Sequence, residues 1–161
     1  MKRLILVRHG KSSWEYDLPD DKRPLKKRGI NDANLVSDLF QKKNIAVDIV
    51  ISSPAVRAFS TCKIFRDKLE LDSDNIETNI ELYDFHGENV IKTVKNTPDN
   101  FETLMIFGHN HAFTSISNIF GNKFIDNLPT SGLVAIEFQV DSWVDIKKGN
   151  TVLTIFPRDY K

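Results

Sequence analysis

Leu4-Ile5-Leu6-Val7-Arg8-His9-Gly10 runs four apolar residues straight into arginine, histidine and glycine. An unbroken apolar run closed by glycine predicts a central strand buried on both faces; a half-exposed strand would alternate. In open α/β sheets, ligands bind outside the carboxyl ends of such strands. A cation and a titratable nucleophile therefore leave the core together, at the place where a ligand is expected. Glycine at position 10 lets the backbone turn and approach that ligand closely.

Two other stretches repeat the pattern. Residues 47–51 read as a second buried strand ending at Ser52-Ser53-Pro54, with Ser53 as N-cap and Pro54 as first residue of a helix to about Leu69. That helix carries Arg57 one turn in. Residues 103–107 read as a third buried strand, ending in Gly108-His109. Asn110 then caps a helix to Phe120, which Gly121-Asn122 stops. A helix over 27–43 presents Ala33, Leu35, Val36, Leu39 and Phe40 on one face. Residues 76–78 form a short strand, 88–95 a helix, and 134–140 and 151–156 two final strands. The order β-α-β-α-β-α-β-α-β-β predicts one domain over residues 1–161. Its architecture is a three-layer α/β/α sandwich with a mostly parallel central sheet.

Composition narrows the function. Of 161 residues, 40% are hydrophobic and 27% charged, as in an ordinary globular domain. Lys plus Arg and Asp plus Glu both number 22, so the chain lacks the basic excess of a nucleic-acid binder. Any anion site must be local. Cys62 is the single cysteine and cannot form an internal disulfide, which points to a reducing compartment. The first apolar stretch is too short for a signal peptide and no run is long enough to span a bilayer. The expected location is cytoplasmic, with neither membrane nor nucleic acid as partner.

If the three strands are neighbours, Arg8, His9, Arg57 and His109 converge above the sheet. Two guanidiniums and two imidazoles suit a compact oxyanion, most simply a phosphoryl group, which arginine grips through its planar fork. Helix N-termini near Pro54 and Asn110 add N–H groups aimed the same way. Zinc on His9, His109 and His111 fits by ligand type, but two adjacent arginines would repel the ion, so no metal or other cofactor is expected. His111 reads as a first-turn helix residue, His86 as a loop residue and Cys62 as core. Lys26-Lys27-Arg28 reads as a solvated helix start or a docking patch.

These motifs resemble the histidine phosphatase superfamily, the phosphoglycerate mutase-like proteins. Leu6-Val7-Arg8-His9-Gly10 is similar to its Arg-His-Gly strand end. Ser53-Pro54-Ala55-Val56-Arg57-Ala58 with Thr61 is similar to its Ser-Pro-x-x-Arg-Ala-x-x-Thr element, and Gly108-His109-Asn110 to its second histidine motif. Arg23-Pro24-Leu25 followed by Gly29 resembles a segment of the small SixA-type phosphohistidine phosphatases. The chain leaves no room for the large insertion of phosphoglycerate mutases, which implies an open, shallow site.

The resemblance implies a metal-independent phosphatase with His9 as nucleophile, forming a phosphohistidine that water hydrolyses. Arg8, Arg57 and His109 would hold the phosphoryl oxygens, with Arg23 and Asn110 as further candidate ligands. Leu82-Tyr83-Asp84 stands where relatives carry an acidic general acid, so Asp84 is the candidate. A labile P–N bond to imidazole needs no such acid, whereas an alkyl ester does. The expected substrate is phosphohistidine on a partner protein. The alternatives are a small phosphate ester, turned over by a phosphomonoesterase or mutase-like enzyme, and a phosphoprotein-binding module without turnover.

Overall fold

A computed structural model describes all residues, Met1–Lys161. The six strands are β1 (Lys2–Arg8), β2 (Ile49–Ser52), β3 (Ile76–Thr78), β4 (Thr103–Gly108), β5 (Leu133–Phe138) and β6 (Asn150–Ile155). They form one sheet in the order β3-β2-β4-β1-β5-β6. β3, β2, β4 and β1 run parallel, and β5 and β6 add an antiparallel edge. The helices are α1 (Lys27–Gln41), α2 (Val56–Leu69), α3 (Glu88–Lys95) and α4 (Ala112–Phe120).

β1 lies between β4 and β5, which explains why its apolar run is unbroken. Successive side chains of a strand point to opposite faces. Leu4 and Leu6 join a core beneath α3 and α4 with Val90, Val94, Phe113 and Ile116. Ile5 and Val7 join a second core beneath α1 and α2 with Ala33, Val36, Phe40, Cys62 and Phe65. β4 divides likewise, with Leu104 and Ile106 on the first face and Met105 and Phe107 on the second. These two cores make the three layers of the expected α/β/α sandwich.

The parallel register aligns Arg8 with Gly108 and Ser52 with Phe107, so β1, β4 and β2 end flush at one rim of the sheet. Two glycines let neighbouring segments close in there. A Cβ on Gly10 would lie 2.9 Å from the carbonyl oxygen of Gly29, and one on Gly29 would lie 2.3 Å from that of Lys11. Only glycine allows α1 to sit this tightly against the chain leaving β1.

Several boundaries differ from expectation. α1 ends at Gln41, and Lys42–Asn44 turn out of it, with Asn44 at φ 56°. β5 ends at Phe138. α2 begins at Val56, so Pro54 precedes the helix and Ser53 is not its N-cap. The Ser53 hydroxyl instead accepts from the Ala55 N–H at 3.2 Å, a short turn ahead of the helix. α4 begins at Ala112, and Asn110 Oδ1 accepts from the N–H and the hydroxyl of Thr114 at 3.2 and 2.7 Å.

Candidate active site

His9 leaves β1 almost fully buried. Its Nδ1 lies 2.7 Å from the Gly10 carbonyl oxygen. A carbonyl only accepts, so Nδ1 carries the ring proton and Nε2 keeps a lone pair. Arg57 Nε–H points at that lone pair from 3.4 Å. Burial, with the charges of Arg57, Arg8 and Arg23, outweighs the raising effect of the Gly10 bond and pushes the His9 pKa down to about 3. The imidazole is thus neutral, with one nitrogen pinned and the other presented to the arginine.

Thr61 binds the β1 exit to α2. Its hydroxyl donates to the Arg57 carbonyl at 2.8 Å and accepts from the Gly10 N–H at 2.9 Å. On the other side, the Ser131 N–H reaches the carbonyls of both Arg8 and His9 at 3.1 Å. Arg8 donates from Nη1 to the Leu128 carbonyl at 2.8 Å, while its buried Nε has no partner in the protein.

His109 is fully buried at the end of β4, its ring 5.2 Å from that of His9. Its Nε2 lies 2.8 Å from Ser53 Oγ. That oxygen also accepts from the Ala55 N–H; in the tautomer where the Ser53 hydroxyl donates to Nε2, the His109 proton sits on Nδ1. Nδ1 is buried and has no partner in the protein. Burial, then the neighbouring His9 and Arg57, lower the His109 pKa to about 3.

The four residues that the sequence singles out are therefore gathered at one strand rim, and Arg23 joins them. It is buried, donates to Ser12 Oγ at 2.7 Å, and its guanidinium carbon lies 3.5 Å from the centre of the Trp14 ring. Asn110 lies beside them with its amide engaged, Oδ1 with Thr114 and Nδ2 with Asn127 at 2.8 Å. Asp84 is engaged by the main chain. Its carboxylate accepts four backbone N–H bonds, from His86, Gly87, Asn89 and Val90, at 3.0–3.2 Å, and so caps α3. His111 is exposed at the start of α4, and no group of three His, Cys, Asp or Glu residues is placed to hold a metal ion.

A model of the histidine phosphatase superfamily, branch 1, matches residues 4–113, which span all these motifs. The chain belongs to that superfamily. Membership supports phosphatase activity as the broad function. The SixA protein of Agrobacterium tumefaciens has the same fold at TM-score 0.82 and 21% identity, over 97% of this chain and 98% of its own. The protein histidine phosphatase SixA in its tungstate complex matches at TM-score 0.81 and 19% identity, over 99% of both chains. An uncharacterised protein of Mycobacterium tuberculosis is 26% identical over 93% of this chain and 98% of its own.

Within this superfamily framework, two contributors escaped the sequence reading. Asp20 takes Arg57 through its main-chain carbonyl to Nη1 at 2.6 Å and its carboxylate to Nη2 at 2.9 Å. Tyr83 donates its hydroxyl to the same carboxylate at 2.6 Å. Burial raises the Asp20 pKa, but the Tyr83 and Arg57 hydrogen bonds and the Arg57 charge outweigh it and hold it at about 2. A loop aspartate and a tyrosine beside a family motif carry no periodicity, and only the fold brings the aspartate to Arg57 and the tyrosine to the aspartate.

The two depressed histidines set an acid limit on stability. Their unfolded-state pKa is about 6.5, so between pH 6.5 and about 3 the unfolded chain binds protons that the fold excludes. Unfolding free energy then falls as pH falls through that window. Urea midpoints should decline from pH 7 to pH 4, with a shallower slope in His109→Gln. Equal slopes would count against the neutral buried ring.

Proposed function

We propose that the protein is a metal-independent phosphatase that removes phosphate from phosphohistidine on a partner protein, through a phosphohistidine intermediate on His9. The observation that carries this reading is the His9 ring, with Nδ1 anchored on Gly10 and the Nε2 lone pair facing Arg57. A neutral, oriented imidazole beside a guanidinium is suited to attack phosphorus while charge redistributes onto bound oxygens.

In the proposed first step, Nε2 attacks phosphorus in line. The N–P bond forms as the bond to the leaving group breaks, and that group departs with the electron pair. Arg57, Arg8 through its unpartnered Nε, and His109 through Nδ1–H neutralise the oxygens. Water then attacks the phosphohistidine, returning His9 and releasing inorganic phosphate. Arg23, whose charge acts on His9, supplies a further donor in this reading.

The leaving group favours a P–N substrate. Asp84, the expected acid, already accepts four N–H bonds, which supports a capping role over proton donation. Alkyl esters need their leaving oxygen protonated, whereas a phosphorylated imidazole does not depend on a fixed acid. The surroundings also favour a macromolecule, since Trp14, Tyr16, Leu18 and Phe85 stand exposed on the loops flanking the site. The SixA likeness is consistent with such a substrate. Part of the chain is also 28% identical to a 2,3-bisphosphoglycerate-dependent phosphoglycerate mutase of Elusimicrobium minutum, over 53% of this chain and 36% of that one. A small ester is therefore the competing substrate.

The test compares phosphorylated histidine-containing phosphotransfer proteins with aryl and alkyl phosphates. Faster turnover of the phosphohistidine proteins is expected, and faster turnover of alkyl esters would overturn the reading. Asp84→Ala should lower stability by about 2 kcal/mol, the scale of a lost helix cap with buried N–H groups left unpaired. Its residual kcat/KM should fall equally on esters and phosphohistidine. A loss confined to esters would restore Asp84 as the acid.

A further inference from the structure

One carboxylate ties the arginines of this site together. Arg57 is a long, flexible side chain, yet its two terminal nitrogens are both held by Asp20, Nη1 by the main-chain carbonyl and Nη2 by Oδ2. Two acceptors on one residue fix both the place and the plane of the guanidinium. Of the five N–H donors of the guanidinium, Asp20 thus takes one on each terminal nitrogen, and Nε–H is the one that faces His9 Nε2. The second oxygen, Oδ1, takes Arg23 Nε and Nη2, both at 3.3 Å. Tyr83 adds its hydroxyl to Oδ2, and its ring stands 5.2 Å from that of His109. The loop after β1, helix α2 and the turn after β3 thus meet at one side chain.

We propose that Asp20 is a positioning residue for phosphoryl transfer, fastening Arg57 by its outer nitrogens so that Nε–H faces the nucleophile, and drawing Arg23 and Tyr83 to the same point. Asp20 acts through Arg57 rather than on the reacting atoms. The inference rests on the phosphatase reading above and adds a residue that its motifs do not contain. The carboxylate is 44% exposed on a loop, so its replacement leaves both cores untouched.

The experiment uses the full chain as wild type, Asp20→Ala, Asp20→Glu, Arg57→Ala and the double variant Asp20→Ala/Arg57→Ala. Turnover of an aryl phosphate and of phosphoimidazole is measured, with the Arg57 Nε–H signal followed by 1H–15N NMR. Misplacing a catalytic group by about 1 Å costs on the order of 10²-fold. Asp20→Ala should therefore lower kcat about 10- to 100-fold with KM changed less than about threefold. Asp20→Glu should recover part of the loss. In the Arg57→Ala background the Asp20 change should cost less than about twofold, because its target is gone. The Nε–H signal should be protected from exchange in the wild type and lose that protection in Asp20→Ala.

An additive loss in the double variant would overturn the inference. So would intact kcat with tighter inhibition by inorganic phosphate, which is the behaviour of a carboxylate that merely occupies the anion site. If the wild type turns over neither substrate, the phosphatase reading fails. The NMR comparison still decides the positioning role in that case, and retained protection in Asp20→Ala overturns it.

Discussion

Replacing His9 by alanine should lower turnover by about 10⁴-fold or more, the scale seen when a nucleophile is deleted from a covalent mechanism. The proposed intermediate also leaves a chemical trace. Rapid quench of the wild type should trap an acid-labile, base-stable phosphate on the chain, and His9→Ala should trap none. The two measurements are independent, because a residue that only binds phosphate would lower turnover without changing what is trapped. Phosphate retained on the variant, or turnover above about 1% of wild type, would remove His9 from the nucleophile role. Circular dichroism separates this from misfolding, since the imidazole makes its Nδ1 bond only to the adjacent Gly10 carbonyl.

Arg57→Lys should cost about 10²- to 10³-fold in kcat, close to the loss from deleting a preorganised oxyanion donor. The substitution keeps the positive charge and removes the fork. Arg57 uses three nitrogens at once, Nε toward His9 and Nη1 and Nη2 on Asp20. An ammonium is a single point of charge that cannot hold that geometry. Turnover within about threefold of wild type would mean that charge alone suffices and that the directed Nε–H is not what the site depends on. The expected KM change is the smaller of the two, because Arg8 and Arg23 remain as cations.

The sequence carried unequal weight along the chain. Leu4–Val7 and 103–107 were legible as central strands because burial on both faces forces an unbroken apolar run, and both strands do sit inside the sheet. The helix over 88–95 was legible to the residue. The start of α2 was not. Ser53-Pro54 has the chemistry of a cap and a first helical residue, but Ser53 lies beneath the buried His109 ring, and the helix begins two residues after Pro54. Local propensity lost there to a tertiary hydrogen bond.

Asp84 shows the same limit from the other side. Its place after Leu82-Tyr83 resembles the position of an acid in the family, yet an aspartate ahead of a helix is also a cap. Spacing could not separate the two, whereas four N–H groups within 3.2 Å favour the cap.

By itself the sequence determined the α/β/α class and the three strand ends, and it singled out Arg8, His9, Arg57 and His109 as candidates. Their signals are local, residue types at fixed places in apolar runs and short motifs. Only the tertiary structure decided which His9 nitrogen is presented, which side chain steadies His109, and that Asp20 reaches Arg57 with Tyr83 on the same carboxylate. The first is set by a bond to the neighbouring Gly10 carbonyl whose geometry the fold imposes, and the others by hydrogen bonds between segments 37 to 63 residues apart. A directional bond between distant polar groups leaves no periodic trace in the chain, so it exists only once the strands have brought its ends together.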